Sequence, residues 1–163
     1  MANKKSTTRF YDGKTYQVDE SIAFLMRQVI DGMGSLVDEH MITHDLTNAQ
    51  WKPLLMIRQR NCKTAAELAR VSCADTGAIT RMLDRIEAKG LVKRTRSSED
   101  RRIVNLELTE DGEKAAEIVP YVVSDVLNNV LEGFSKTEVN DLKALLRRML
   151  ANVQTLRASG SQE

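Results

Sequence analysis

Aromatic side chains occupy only 4% of this 163-residue chain, so any core must be assembled mainly from Leu, Ile, Val, Met and Ala. There are two cysteines, Cys62 and Cys73. They are too few for a disulfide framework or a four-ligand zinc site, and both are read as reduced thiols. No segment approaches the roughly 18 consecutive apolar residues that span a bilayer. The start, MANKKSTTRF, holds no apolar run of the kind a secretory signal needs, so the expected location is the cytoplasm with no membrane partner. Gly-rich phosphate loops, nucleophile elbows and paired-histidine metal motifs are also missing, which argues against an enzyme. His40 and His44 form no compact ligand cluster with a cysteine, so neither metal nor other cofactor is expected. The formal net charge of +1 excludes an indiscriminately sticky polyanion binder, although a total hides how charge is distributed.

That distribution is uneven. Between Thr76 and Arg102 stand eight basic residues against four acidic ones, a local excess of four that leaves the rest of the chain slightly acidic. Five of the eight lie in KRTRSSEDRR, residues 93–102. The surrounding pattern is mostly helical. Apolar residues from Ile22 to Val37 recur at spacings of three and four, giving a long first helix that Gly32 and Gly34 weaken locally, a hint of close approach by another helix or a ligand. TNAQ (47–50), TAAE (64–67) and SKTE (135–138) fit the capping box and mark three helix starts. The first of these opens a second helix that holds Pro53 in its early turns, and TAAELARVS makes a short third. In CADTGAITRMLDRIEAKG, Ile79, Met82, Leu83 and Ile86 share one face, Thr76, Thr80, Arg81, Asp84 and Arg85 share the other, and Gly90 is a natural stop.

After Gly90 the period changes from 3.6 to 2. LVKRT and IVNLEL read as a two-stranded hairpin with a long charged tip. The rest returns to helix, with Pro120 expected to kink or open the fifth helix. Residues 1–18 and 158–163 read as flexible. A short helix, a turn, an amphipathic helix with an Arg/Thr face and a charged hairpin make a helix-turn-helix with a wing: the second helix suits a major groove and the hairpin the backbone or minor groove beside it. Arg81 and Arg85 have a blander reading as helix-surface ion-pair partners of Asp84 or Glu87.

With those elements placed, LTNAQW, TAAELAR, ITRMLDRIEAKGLVKR and DRRIVNLELTEDG resemble the MarR family of bacterial transcription regulators over roughly residues 19–157. The wing pattern falls on Asp100, Arg102, Leu108, Thr109 and Gly112. The resemblance implies a mainly α fold with a two- or three-stranded β-wing: a first dimerisation helix at 19–46, a winged helix-turn-helix at 47–112 and C-terminal dimerisation helices at 113–157. It implies a homodimer on a palindromic double-stranded operator, repression by default, and release by a small molecule, often an aromatic carboxylate. A partner chain is also expected from composition, because the last two helices carry more apolar residues than a small core can cover.

By that resemblance Arg102 enters the minor groove and Asp100 orients the wing arginines. The DNA-contact candidates are Thr64, Thr76, Gly77, Thr80, Arg81, Arg85, Arg94, Arg96, Asp100, Arg101 and Arg102. Gly77 replaces a commoner hydroxyl residue, and SSE before Asp100 replaces a frequent proline, leaving the tip less rigid. Candidates for the effector are Arg27, Met33, His40, Trp51 and Met56, since an aromatic floor with a cation or imidazole suits an aromatic acid. The competing reading of Met33, Trp51 and Met56 is plain core. Two other functions are weighed: a redox-responsive regulator acting through Cys73 near a helix start, and a winged-helix module that binds protein instead of DNA.

Overall fold

The computed structural model describes residues 8–72, 74–100 and 102–160. Cys73 and Arg101 therefore lie outside the described residues. The chain forms α1 (Ile22–Ile42), α2 (Asn48–Arg60), α3 (Ala65–Ser72), α4 (Thr76–Ala88), β1 (Val92–Arg96), β2 (Val104–Leu108), α5 (Glu110–Val130) and α6 (Lys136–Gly160).

The three capping boxes form as their local chemistry requires. The Thr47 N–H donates to Gln50 Oε1 at 3.0 Å. The Thr64 N–H donates to Glu67 Oε2 and the Glu67 N–H returns to Thr64 Oγ1, both at 3.2 Å. The Ser135 N–H donates to Glu138 Oε2 at 2.8 Å, and the Glu138 N–H to Ser135 Oγ at 3.2 Å. Each pair satisfies donors that a helix start leaves unpaired.

The chain divides into two compact units, Met1–Val123 and Ser124–Glu163, with the division inside α5. In the first unit the core is Met41, Leu46, Trp51, Leu54, Leu68, Ile79, Leu83, Ile86, Leu91 and Leu106. The anticipated boundary at 46/47 is bridged, because the Trp51 indole N–H donates to Asp38 Oδ1 at 2.7 Å and ties α2 to α1. β1 and β2 pair antiparallel with Arg94 opposite Leu106 and Arg96 opposite Val104. Lys63 and Thr64 add the rudiment of a third strand: Thr64 bridges Asn105, and the Leu106 N–H donates to the Lys63 carbonyl at 2.7 Å. The hairpin outruns the core, so Leu106 is buried while Val104, nearer the tip, is exposed.

Three expectations need correction. Helix α5 stays helical through Pro120, so it does not open there; the proline deletes one backbone donor, and Ala116 and Val119 before it are buried. Helix α6 continues to Gly160, so residues 158–160 are not a loose tail; the Ser159 hydroxyl back-bonds to the Thr155 carbonyl at 3.0 Å. Residues 8–18 are tethered: Tyr11 packs edge-on against Tyr16 with ring centres 5.9 Å apart, and its hydroxyl accepts the Ile22 N–H at 3.0 Å.

In the second unit α6 buries none of its residues, and Leu142, Leu145, Leu146, Met149, Leu150, Val153 and Leu156 are all exposed. In the first unit Ile22, Leu25, Val29 and Ile30 of α1 are likewise exposed. A methyl group added at Gly32 or Gly34 would meet nothing within 4 Å, so no neighbour among the described residues accounts for these glycines.

Candidate nucleic-acid interface

Helix α4 is launched by Asp75, whose Oδ1 accepts the Ala78 N–H at 2.8 Å. Ile79, Leu83 and Ile86 bury one face of the helix, and the 3.6-residue period turns Thr76, Gly77, Thr80, Arg81, Asp84 and Arg85 outward. Gly77 fits its place by size: a Cβ there would come within 3.1 Å of Asp75 Oδ1, crowding the cap, and into ordinary contact with Arg81 Nη1 at 3.6 Å. The Thr80 hydroxyl donates to the Thr76 carbonyl at 2.9 Å, which leaves its lone pairs outward.

The wing follows immediately. Gly90 takes φ +75°, a left-handed turn that ends α4. The base of the hairpin is then locked to α5 by the Leu-Thr-Gly pattern. The Thr109 N–H donates to the Leu91 carbonyl at 3.1 Å, its hydroxyl donates to the Gly90 carbonyl at 2.6 Å, and that hydroxyl accepts the Gly112 N–H at 3.0 Å. A Cβ at Gly112 would stand 1.8 Å from the Leu91 carbonyl oxygen, so only glycine permits the approach.

At the tip, Asp100 Oδ1 accepts the backbone N–H of Arg102 at 2.9 Å. Asp100 thus orients Arg102 through the main chain. The Ser97 hydroxyl accepts the N–H groups of Glu99 and Asp100 at 3.2 and 3.3 Å, and the Ile103 N–H donates to the Asp100 carbonyl at 2.9 Å. These bonds organise a tip that lacks proline.

The basic residues of this segment fall into two groups. Lys89 pairs with Asp45 at 2.7 Å and Lys93 with Glu107 at 2.7 Å. The second pair holds the Glu107 carboxyl below its usual range, through the Lys93 hydrogen bond first and its charge second. Arg94, with a side chain only 25% exposed, reaches Asp84 at 2.6 Å and Glu87 at 3.3 Å. Two carboxylates of α4 hold it within the chain. Arg81, Arg85, Arg96 and Arg102 are exposed and have no side-chain hydrogen bond or ion pair among the described residues. The ion-pair alternative for Arg81 and Arg85 does not form, since Asp84 and Glu87 face Arg94. Thr64 is half-buried, with its hydroxyl capping α3 and its backbone bridging Asn105.

The effector candidates do not converge within the chain. Arg27 pairs with Asp31 at 2.8 Å on an exposed helix face. His40 is exposed, with Nδ1 2.8 Å from the Leu36 carbonyl. Trp51 is buried with its N–H engaged, Met33 is half-buried, and Met56 Sδ accepts the Ser72 hydroxyl at 3.1 Å. The burial of Trp51 fits the plain-core reading. A cleft of about 480 Å³ instead lies between the end of α2, β2 and the start of α5, lined by Ile57, Arg58, Asn61, Cys62, Lys63, residues 105–108 and Glu113. Sequence reasoning offered no signal for it, because its walls come from positions far apart in the chain. Burial, followed by the charge of Glu67, raises the pKa of the Cys62 thiol. No group of three His, Cys, Asp or Glu side chains suited to a metal gathers among the described residues, and no described helix is long and apolar enough to cross a membrane.

An exposed helix with free arginines, held beside a hairpin with more of them, defines a winged helix-turn-helix protein. Comparison with known proteins narrows the class. The MarR family model matches residues 46–104. The chain is 36% identical over 127 residues to multiple antibiotic resistance protein MarR of Escherichia coli K12, a match spanning 77% of this chain and 88% of that one. Its counterpart from Salmonella typhimurium is 35% identical over 116 residues, spanning 71% and 81%. Among solved structures, a cysteine-to-serine mutant of E. coli MarR complexed with operator DNA superposes with a TM-score of 0.74 at 34% identity, covering 83% of this chain and 99% of that one. The S. aureus MepR–DNA complex gives a TM-score of 0.72 at 25% identity, covering 81% and 98%. The chain belongs to the MarR family of winged-helix regulators.

Proposed function

We propose that the chain is a sequence-specific transcription regulator that binds a palindromic operator as a homodimer, represses by occluding a promoter, and releases DNA when a small aromatic or heteroaromatic acid binds. One observation carries the DNA reading. In the basic segment, the cations facing the core or the hairpin edge are paired with acids, while Arg81, Arg85, Arg96 and Arg102 are exposed and unpaired on α4 and the wing. Unpaired guanidiniums on a helix and its flanking hairpin suit a duplex, since they fork onto phosphates and base edges without first breaking an ion pair. Thr76, Gly77 and Thr80 then stand at the groove-facing start of α4, with Asp100 holding the wing tip that presents Arg102. That two relatives were solved in complex with DNA supports the DNA-binding reading.

The homodimer is supported by the uncovered apolar rows of α1 and α6, which a second copy would bury. Two copies of α4 would then meet successive major grooves about 34 Å apart. The effector class rests on the family resemblance, and the five residues first considered for it are not a ready-made pocket. The alternative of a redox-responsive regulator rests on Cys73, which lies outside the described residues.

The test is a salt-titrated gel shift with duplexes selected from a random library, repeated with aromatic and heteroaromatic acids added. Enrichment of a palindromic sequence, a steep loss of affinity with salt and release by an acid support the proposal. Binding with no sequence preference would refute the operator reading. Undiminished binding at every acid concentration would refute the effector.

A further inference from the structure

We infer that Arg94 is a positioning residue for DNA binding: it latches the wing to the recognition helix and neutralises two carboxylates that would otherwise face the phosphates. This rests on the DNA-binding reading above and adds a residue that acts on DNA without touching it. Asp84 and Glu87 lie three residues apart on α4, so the helical period puts both carboxylates on one side. Arg94 sits in the middle of β1, opposite Leu106, which fixes its side chain toward that helix. One guanidinium then spans both acids. Nη2 donates to Asp84 Oδ1 at 2.6 Å and approaches the Thr80 carbonyl at 3.5 Å, while Nε, shielded from solvent, lies 3.3 Å from Glu87 Oε2.

Two consequences follow from this geometry. The first is mechanical. The chain passes from α4 to the hairpin through the turn at Gly90, and the hairpin is further held to the start of α5 through Thr109 and to Lys63 and Thr64 before α3. Arg94 is the side chain that joins the wing to α4 itself, one turn from Arg81 and beside Thr80. The second consequence is electrostatic. Asp84 is exposed between Arg81 and Arg85 on the outward side of α4, so an unneutralised carboxylate there would oppose the phosphates those arginines approach. A lysine could meet one acid but not span both, because its charge is a point and not a fork.

The latch separates from a direct phosphate contact in a double-mutant cycle on the full chain, with a duplex selected by the wild-type protein as probe. Arg94→Met is expected to weaken binding about tenfold, within the coupling range of contacting residues, while leaving the salt dependence unchanged. In an Asp84→Asn/Glu87→Gln background the same substitution is expected to cost less than about twofold, since nothing remains for Arg94 to hold. Arg94→Lys should recover part of the affinity. Hydrogen exchange of the Thr95 and Asn105 amides should quicken in Arg94→Met, a readout that needs no DNA. A salt slope reduced by about 0.9 together with an undiminished cost in the neutralised background would make Arg94 a phosphate contact and overturn the proposal. Unchanged exchange would overturn it as well. A wild-type protein that selects no duplex would sink the DNA-binding reading instead, and the exchange comparison would still decide the latch.

Discussion

Gly112→Ala sets two physical effects against each other. Glycine inside a helix is less favourable than alanine by about 0.8–1.0 kcal/mol, so propensity alone predicts that the substitution stabilises α5. The geometry predicts the reverse. A Cβ at 112 would lie 1.8 Å from the Leu91 carbonyl oxygen and 2.8 Å from its carbon, both backbone atoms. Reaching even a 3.0 Å separation requires the chain at Leu91 to withdraw by about 1.2 Å, and overpacking of this kind costs about 1–3 kcal/mol. The Leu91 carbonyl also accepts the Thr109 N–H, and the Thr109 hydroxyl bridges Gly90 and Gly112. Stretching these three bonds puts roughly 0.5–1.5 kcal/mol each at risk. With the propensity gain subtracted, the net loss is about 2–7 kcal/mol, which lowers the melting temperature by roughly 5–25 °C for a chain of this size. Thermal unfolding followed by circular dichroism measures it. A variant as stable as the parent, or more so, would show that the strand base and α5 do not approach as described.

Other consequences can be checked on the same protein. The thiol of Cys62 should react with an alkylating reagent far more slowly in the folded than in the urea-unfolded chain, because burial and Glu67 raise its pKa and starve it of thiolate; equal rates would contradict its burial. The Ser135 N–H and hydroxyl hold the Glu138 carboxyl below its usual pKa. Its contribution to α6 is therefore complete above that usual value and fades as pH falls through the depressed one. The difference in thermal midpoint between the parent and Glu138→Ala should accordingly shrink toward strongly acidic pH; a constant gap would refute the capping role. Trp51→Phe removes the bond to Asp38 and should cost about 1–3 kcal/mol in urea unfolding; an unshifted midpoint would mean that the α1–α2 tie carries no stability.

Much of the fold is legible in the sequence because it is locally encoded. Thr47 with Gln50, Thr64 with Glu67 and Ser135 with Glu138 solve the same problem, unpaired donors at a helix start, within four residues. The change of period after Gly90 announces the hairpin, since only alternation places Leu106 and Leu108 on one side. What the sequence conceals depends on side chains meeting across longer separations. Arg94 looks like one more member of a basic cluster, and only the β1–β2 register turns it onto Asp84 and Glu87. Thr64 looks like a free hydroxyl until Glu67 and Asn105 occupy it. Trp51 is concealed for a related reason: it finds its hydrogen-bond partner thirteen residues away on α1 and becomes part of the core. The reason for Gly112 is equally non-local, being the passage of the Leu91 carbonyl.

The central claim is that the unpaired arginines of α4 and the wing hold DNA, and the salt dependence of operator binding for Arg102→Ala against the parent tests it most directly. For an electrostatic contact the logarithm of the binding constant should fall with the logarithm of salt concentration less steeply in the variant, by about 0.9 per lost phosphate. Affinity should fall as well. Superimposable salt titrations for the two proteins would contradict the account and remove the wing from the interface.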